Sequence, residues 1–110
     1  YIVCAPGGRV GKVGEATLIE KGDEDRVSAY AMTAQAYGFQ LLYLEAGSGA
    51  ATPVDAGLIA AAREACNLTL IVGGGIRDGA AAKRAAAAGA DWVITGNLTE
   101  SFDDADELQE

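Results

Sequence analysis

Three glycine-rich polar segments carry the residues of this sequence that could do chemistry. The first contains Glu45, whose carboxylate could accept hydrogen bonds or a proton from a substrate hydroxyl. The second is a run of three glycines, residues 73–75, and the third is Gly96-Asn97. Glycine lets backbone N–H groups approach an anion closely. Taken alone, the pattern fits a ligand site and strands that end in plain glycine-rich turns equally well.

Each of these segments follows a short apolar run typical of a buried parallel strand. Counting one more run at the start of the sequence, the predicted strands are residues 1–5, 40–45, 68–72 and 92–95. Capping residues and apolar spacing predict helices between them. These helices are residues 23–37, 53–66 and 79–88, with a last one over 99–110.

The alternation of strand and helix is typical of a parallel sheet built from right-handed βαβ units. Such a sheet is either doubly wound or part of a TIM-type (β/α) barrel. Glycine-rich loops after three successive strands favour the barrel, and the run 73–75 does not continue into a G-x-G-x-x-G fingerprint. A full barrel needs about 250 residues. We therefore expect residues 1–110 to be the carboxyl-terminal half of a (β/α)8 barrel domain, strands five to eight only.

The segment between the first strand and the first helix has a distinctive composition. Four glycines and two cations fall within residues 7–14. This predicts a long loop, either a mobile lid over a neighbouring site or a plain linker. Its spacing is not that of a Walker loop, because Lys12 is followed by Val13 and not by a hydroxyl residue.

Composition excludes several classes of function. The 110 residues include 16 acidic and 8 basic side chains, a net charge of −8, which disfavours nucleic acid and anionic membranes as partners. The absence of histidine excludes Ser-His and Cys-His catalysis. Cys4 and Cys66 lack a metal-ligand spacing and are interpreted as reduced thiols of a cytoplasmic protein. No apolar stretch reaches the length of about 18 residues that spans a bilayer.

Four motifs resemble a known enzyme family. They are YLEAGSGA at residues 43–50, VGGGIR at 72–77, TGN at 95–97, and the segment 6–16. In this order and at these separations they resemble the geranylgeranylglyceryl phosphate synthases of archaea and their bacterial heptaprenylglyceryl phosphate synthase relatives. The first motif is the most specific, and the resemblance covers nearly the whole chain.

The resemblance implies a prenyltransferase of ether-lipid synthesis. Such an enzyme alkylates the 3-hydroxyl of sn-glycerol 1-phosphate with a prenyl diphosphate, while Mg²⁺ neutralises the departing diphosphate. Glu45 would be the catalytic residue, because it could orient the attacking hydroxyl or take its proton. Carried over by position, the residues that would hold sn-glycerol 1-phosphate are Tyr43, Leu44, Glu45, Ala46, Gly47, Ser48, Gly49, Gly74, Gly75, Gly96 and Asn97.

The phosphate would be held mainly by backbone groups. The N–H groups of Ser48, Gly75 and Gly96 could form a cradle for a dianion, together with the side chains of Ser48 and Asn97. The positive N-terminal ends of the following helices would help.

Other side chains near these motifs leave two interpretations open. Arg77 could be a counter-charge for the phosphate or form a salt bridge between loops, and Glu45 could be its partner. Tyr43 could hydrogen-bond the ligand or fill the barrel centre, and the resemblance favours the ligand. Phe39 and Trp92 are expected in the core.

The chain departs from the family pattern in one large respect. The family holds magnesium with an aspartate after the first strand and a hydroxyl residue after the second, and its prenyl groove lies largely in the amino-terminal half. This sequence contains neither part, so we expect the Mg²⁺ ligands elsewhere and no prenyl transfer by these 110 residues alone. Two open sheet edges would favour self-association, and a homo-oligomer is expected for a full-length form.

Two alternative functions stay open on the sequence. One is another phosphate-binding barrel enzyme, such as a sugar-phosphate isomerase or a flavin-binding oxidoreductase. The other is a non-catalytic half-barrel that associates with itself.

Overall fold

The computed structural model describes residues 1–95. In chain order the strands are β1 (Ile2–Val3), β2 (Leu41–Glu45), β3 (Thr69–Gly73) and β4 (Trp92–Ile94). The helices are α1 (Gly8–Val13), α2 (Glu24–Ala36), α3 (Ala56–Ala65) and α4 (Gly79–Ala88). The predicted site residues Gly96 and Asn97 and the predicted helix over 99–110 lie outside the described residues.

The four strands form one parallel sheet in the order β1-β2-β3-β4. The register places Glu45 beside Val3 on one side and Gly73 on the other, and Gly73 beside Ile94. Parallel pairing of sequential strands through helices is the arrangement of a (β/α) barrel wall. The predicted fold class is therefore confirmed for this part of the chain.

The two faces of the sheet have different environments. Side chains alternate between faces along a strand. Leu42, Leu44, Leu70 and Val72 belong to one hydrophobic core together with buried residues of α2, α3 and α4. The intervening residues, which include Tyr43, Glu45, Ile71 and Gly73, lie on the opposite face, which is the barrel-interior side.

The helix boundaries follow the predicted capping residues. The Asp55 side chain accepts a hydrogen bond from the Gly57 N–H at 3.1 Å, and that of Asp78 accepts one from Ala81 N–H at 2.7 Å. These bonds satisfy amides that an uncapped helix end leaves unpaired. Asp23 precedes α2 without a capping bond and instead forms an ion pair with Arg26 at 3.2 Å.

The glycine-rich segment 7–14 is not the long loop that its composition predicted. It contains helix α1, in which Gly11 is buried. A Cβ on Gly11 would lie 2.9 Å from Leu18 Cδ2 and 3.3 Å from Val3 Cγ1. The helix backbone therefore approaches these side chains too closely for a residue larger than glycine, although glycine has a low helix propensity.

Two aromatic side chains that were expected in the core are exposed instead. Trp92 is 60% exposed and Phe39 is 59% exposed. Trp92 pairs with Ile71 in the sheet register, on the face away from the helices, and Phe39 precedes β2 at its amino end. Apolar character alone does not say which face of a sheet a residue occupies.

The expectation of two open sheet edges is wrong for β1. Ile19 forms a parallel bridge with Cys4, and its N–H donates to the Val3 carbonyl at 3.0 Å. The Ala5 N–H donates in turn to the Ile19 carbonyl at 2.8 Å. This segment covers part of the outer edge of β1, which limits pairing with another chain there.

No helix among the described residues is long and apolar enough to cross a membrane. Cys4 and Cys66 are both buried and unbonded to each other, in agreement with their interpretation as free thiols.

Candidate functional site

A pocket opens at the carboxyl ends of β2, β3 and β4. In parallel α/β folds this end of the sheet is where ligands bind. The pocket brings together five of the predicted site residues with Glu45 and with side chains from the next loop and strand. Its lining residues are Tyr43, Glu45, Ser48, Gly49, Gly74, Gly75, Ile76, Arg77 and Ile94.

The loops that form the pocket rim are held together backbone to backbone. The Gly7 N–H donates to the Ala46 carbonyl at 2.9 Å, and the Ala46 N–H donates to the Gly73 carbonyl at 3.0 Å. These bonds continue the pairing of the parallel strands past their ends. The segments that follow β1, β2 and β3 therefore keep a fixed spacing at the pocket rim.

Glycine is required at this junction for close approach of the chains. Gly74 has a φ of 88°, and a Cβ there would lie 2.6 Å from the Gly47 nitrogen. Gly47 has a φ of 102°, and a Cβ there would lie 2.7 Å from the Cα of Gly8. Both residues thus shape the rim, because each lets one loop pack against the next. The sequence pattern instead predicts close contact of these glycines with the ligand.

Glu45 is a buried carboxylate, 7% exposed, at the floor of the pocket. A Cβ on the neighbouring Gly73 would lie 3.0 Å from Glu45 Oε2, so the missing side chain at Gly73 makes room for the carboxylate. The Tyr1 hydroxyl lies 3.4 Å from Glu45 Oε1, whereas Oε2 has no hydrogen-bond partner among residues 1–95. The site thus contains a carboxylate oxygen that is ready to accept a hydrogen bond.

Burial is the main cause of the pKa shifts of Glu45 and of the two acidic groups beside it, Tyr43 and Cys4. It raises the pKa of Glu45, while the Tyr1 hydroxyl and the Gly47 backbone amide partly offset the rise. Burial and the Glu45 charge raise the pKa of Tyr43, and the same two causes raise that of Cys4 to about 12. Cys4 is therefore a neutral thiol at physiological pH and no nucleophile.

Arg77 bridges two rim loops without pairing with Glu45. Its guanidinium donates to the Gly49 carbonyl at 3.1 Å and to the Ala50 carbonyl at 2.9 Å. The ion pairs within residues 1–95 are Arg26–Asp23 and Arg63–Asp91. The suggested Glu45–Arg77 salt bridge is thus absent from the described structure, and the loops are joined through carbonyl groups instead.

The backbone amides available to an anion come from the rim loops. The N–H groups of Ser48, Gly49 and Gly75 make no hydrogen bond to protein acceptors in the described part of the chain. The first turns of α3 and α4 offer less, because their Gly57 and Ala81 amides already bind their own capping carboxylates. These two amides are therefore not free for an anion, and the help expected from the helix N-termini stays a prediction.

Some predicted site residues do not line the pocket. Leu44 and Ala46 are fully buried in the core, so only their backbone groups are near the rim. Gly47 packs closely against Gly8 and Gly74, as described above. Gly96 and Asn97 lie outside the described residues.

Sequence reasoning missed the two apolar lining residues and the neighbour of Glu45. Ile76 and Ile94 line the pocket, and Tyr1 contacts the carboxylate. Ile94 could have been found from strand register, because it pairs with Gly73, which pairs with Glu45. No sequence signal marks Tyr1, which is remote from Glu45 along the chain.

The described residues do not form a magnesium site. No group of three or more His, Cys, Asp or Glu side chains within residues 1–95 is close enough together to hold a metal ion. Within residues 1–95, Glu45 is the one carboxylate that lines the pocket. A single carboxylate does not supply the coordination that Mg²⁺ needs.

Comparison with known proteins finds similar enzymes. The geranylgeranylglyceryl phosphate synthase of Thermoplasma volcanium is 48% identical over 100 residues, which is 91% of this chain and 40% of the relative. The enzyme of the same name from Methanothrix thermoacetophila is 48% identical over 105 residues, covering 94% of this chain and 41% of the relative. The chain thus spans about two fifths of the length of these curated relatives.

Solved structures give the same result. The wild-type T. volcanium synthase superposes with a TM-score of 0.87 at 48% identity, over 92% of this chain and 41% of the solved one. The Thermoplasma acidophilum synthase, solved in complex with its substrate sn-glycerol-1-phosphate, has a TM-score of 0.92 at 43% identity, over 97% and 43% of the two chains. The sequence profile of the PcrB family matches residues 1–110, and the chain therefore belongs to the PcrB family.

Proposed function

We propose that the pocket binds sn-glycerol 1-phosphate and that the protein takes part in transfer of a prenyl group to the 3-hydroxyl of that substrate. The observation that carries the proposal is that one pocket contains two kinds of binding group in different places. A buried carboxylate with one unpartnered oxygen lies at the floor, and loop amides without protein acceptors lie at the rim. The names of the relatives and the ligand of the T. acidophilum structure support this substrate.

The rim would hold the phosphate. The N–H groups of Ser48, Gly49 and Gly75, with the Ser48 hydroxyl, would donate hydrogen bonds to the dianion. Arg77 lines the same pocket and supplies a positive charge there. Because the chain has a net charge of −8, attraction of the phosphate must be local to these groups. Gly96 and Asn97 would complete the cradle from the segment after β4.

Glu45 would act on the glycerol end. Its carboxylate would accept a hydrogen bond from the 3-hydroxyl and take its proton as the reaction proceeds. The glycerol oxygen forms the new bond to the first carbon of the prenyl group, and the bond from that carbon to the diphosphate breaks. The diphosphate leaves with the bonding electron pair. The raised pKa of Glu45 makes it a stronger base than an ordinary carboxylate.

Prenyl transfer of this kind uses Mg²⁺ to neutralise the departing diphosphate. The residues described do not fit that ion, as reported above. We therefore assign the chain itself only the binding and orientation of the glycerol phosphate and the movement of the hydroxyl proton.

The remaining proposals concern context. We propose that residues 1–110 correspond to the carboxyl-terminal half of a (β/α)8 barrel domain, and that the full-length form is a homo-oligomer. Two buried, unbonded cysteines favour a reducing compartment, and we propose the cytoplasm.

The binding step can be tested on the chain itself. Isothermal titration calorimetry would compare sn-glycerol 1-phosphate with sn-glycerol 3-phosphate and inorganic phosphate, and we expect the 1-phosphate to bind tightest. Ser48→Ala should weaken the binding of all three ligands, and Thr33→Ala, at an exposed position of α2 away from the pocket, serves as a control. Tighter binding of a sugar phosphate or a flavin would contradict the proposal and favour another phosphate-binding barrel enzyme.

Turnover can be tested in a chimera. In it, this chain replaces the matched segment of the T. volcanium synthase, which provides the rest of a barrel. We expect the chimera to transfer a geranylgeranyl group to sn-glycerol 1-phosphate with added Mg²⁺, and the isolated chain to show no turnover. A chimera that folds but transfers nothing would contradict the proposed function.

A further inference from the structure

We infer that Tyr1 is a positioning residue for Glu45, an assignment that rests on the function proposed above. The Tyr1 hydroxyl donates to Glu45 Oε1 at 3.4 Å. The Tyr1 ring stacks on the Tyr43 ring, with centroids 4.7 Å apart and planes inclined by 17°. Tyr1 thus contacts two pocket-lining residues of β2 at once.

Strand register explains how Tyr1 reaches the carboxylate. Ile2 pairs with Leu44 and Val3 pairs with Glu45, so Tyr1 lies just ahead of the paired segment, on the same sheet face as Tyr43 and Glu45. Diagonal neighbours across two strands are within reach of a long aromatic side chain. The stack on Tyr43 fixes the direction of the Tyr1 ring and therefore the place of its hydroxyl.

Besides the Tyr1 hydroxyl, the Gly47 backbone amide acts on the Glu45 carboxylate, and Tyr1 supplies the side-chain donor. Glu45 Oε2 has no partner within residues 1–95, and Gly73, its neighbour on β3, has no side chain to pack against it. A carboxylate that loses its side-chain donor changes rotamer more easily, which costs orientation in the reacting complex. The Tyr1 hydroxyl restricts that freedom and leaves the second carboxylate oxygen for the substrate hydroxyl.

The contact also favours the charged form of Glu45. Burial raises the pKa of Glu45, and the Tyr1 hydroxyl opposes this rise because it donates to the carboxylate. Burial and the Glu45 charge raise the pKa of Tyr1 in turn, so the Tyr1 hydroxyl keeps its proton and remains a donor. Arg77, the cation that lines the pocket, is bonded to the Gly49 and Ala50 carbonyls and forms no ion pair with Glu45.

The first test uses the chimera and the variant Tyr1→Phe, which keeps the ring and removes only the hydroxyl. We expect kcat to fall about tenfold, the loss of one hydrogen bond to a charged group, with the KM for the prenyl diphosphate unchanged. The acidic limb of the plot of kcat against pH should move to higher pH, because the pKa of Glu45 is higher without the Tyr1 hydroxyl. Tyr37→Phe, at an exposed tyrosine after α2, is the matched control and should change neither quantity.

A purely structural role would give a different result. Tyr1→Phe would then lower the melting temperature and leave the pH profile in place, which would overturn the inference. In a Glu45→Gln background the Tyr1→Phe change should have no further effect on kcat, since the group that it positions is gone. An independent effect there would also overturn it.

The second test does not depend on catalysis and separates this inference from the proposed function. The side-chain carboxyl carbon of Glu45 can be titrated by NMR in the 110-residue chain. Tyr1→Phe should raise the midpoint, and an unchanged midpoint would refute the inference. An inactive chimera together with a raised midpoint would mean that the contact exists and that the proposed function is wrong.

Discussion

Leu44 and Glu45 are neighbours in β2, yet they belong to two different regions of the molecule. Leu44 is fully buried in the core that the sheet shares with α2, α3 and α4. Glu45 lies on the opposite face, at the floor of a pocket, with one carboxylate oxygen that lacks a partner within residues 1–95. The helix face is closed and apolar, whereas the other face carries tyrosines, a carboxylate and an exposed tryptophan.

This difference shows that the residues of β2 that stabilise the fold lie on one face of the strand, and the residues that could do chemistry lie on the other. A large apolar residue on the helix face loses many contacts when it is truncated. A polar residue on the pocket face contributes little packing and is costly to bury, so its presence there points to a ligand. Substitutions on the two faces should therefore separate the effects on folding from the effects on function.

The largest expected effect is on turnover, from the pocket face. Glu45→Gln keeps the shape of the side chain and removes its basicity. In the chimera we expect turnover to fall about 10²- to 10⁴-fold, the usual contribution of a general base. Initial rates with saturating substrates provide the measurement, with exposed Glu64→Gln as the control. Turnover within a few-fold of the parent chimera would break the assignment of chemistry to this face.

The next effect is on stability, from the helix face. Leu44→Ala should lower the free energy of unfolding by about 2–5 kcal/mol, because it leaves a cavity in a closed core. Leu41→Ala in the same strand is the matched control, since Leu41 is 56% exposed and should lose under about 1 kcal/mol. Urea unfolding followed by the fluorescence of the single tryptophan measures both. Equal losses would contradict the division between the faces.

A smaller effect is expected at the rim, where the two regions meet. Gly74→Ala combines a positive φ with a Cβ placed 2.6 Å from the Gly47 nitrogen, so the loops must separate. We expect a loss of about 1–3 kcal/mol and weaker binding of sn-glycerol 1-phosphate. Gly22→Ala has the same φ of 88° with no atom within 4 Å, and it isolates the conformational cost. Isothermal titration calorimetry with sn-glycerol 1-phosphate would compare the two variants, and only Gly74→Ala should reduce the affinity.

The smallest effect concerns pH. Burial raises the pKa of Glu45, so the folded state keeps its proton to higher pH than the unfolded chain does. Stability should therefore fall as pH rises from the ordinary glutamate value of about 4.3 through the folded value. Glu45→Gln should raise the melting temperature at neutral pH and leave it unchanged below that window. Thermal melts at the two pH values measure this, and a lower melting temperature at neutral pH would contradict it.

Much of the fold could be predicted because its signals are local. Asp55 and Asp78 cap α3 and α4 as their positions indicated, and Gly73 ends β3. Helix α1 could not be predicted from propensity, because glycine disfavours a helix and the lack of space for a side chain at Gly11, beside Leu18 and Val3, is a tertiary feature. Trp92 was placed wrongly because an apolar residue fits either face of a strand.

The site was predictable in its main lines and not in its details. The sequence marked Glu45, Ser48 and Gly75 because each lies at or just after the carboxyl end of a strand, and the structure brings them to one pocket. It could not distinguish Leu44, whose side chain turns into the core, from its functional neighbours. It also gave no reason to pair Glu45 with Tyr1 rather than with Arg77.

By itself, then, the sequence determined the order of strands and helices, the glycine-rich strand ends and the family, since these depend on residues close together along the chain. Only the tertiary structure decided which side of the sheet each residue occupies, which glycines are needed for loops to touch, and which partner Glu45 has. Those properties depend on strand register and on contacts between segments far apart in sequence, such as Tyr1 and Glu45.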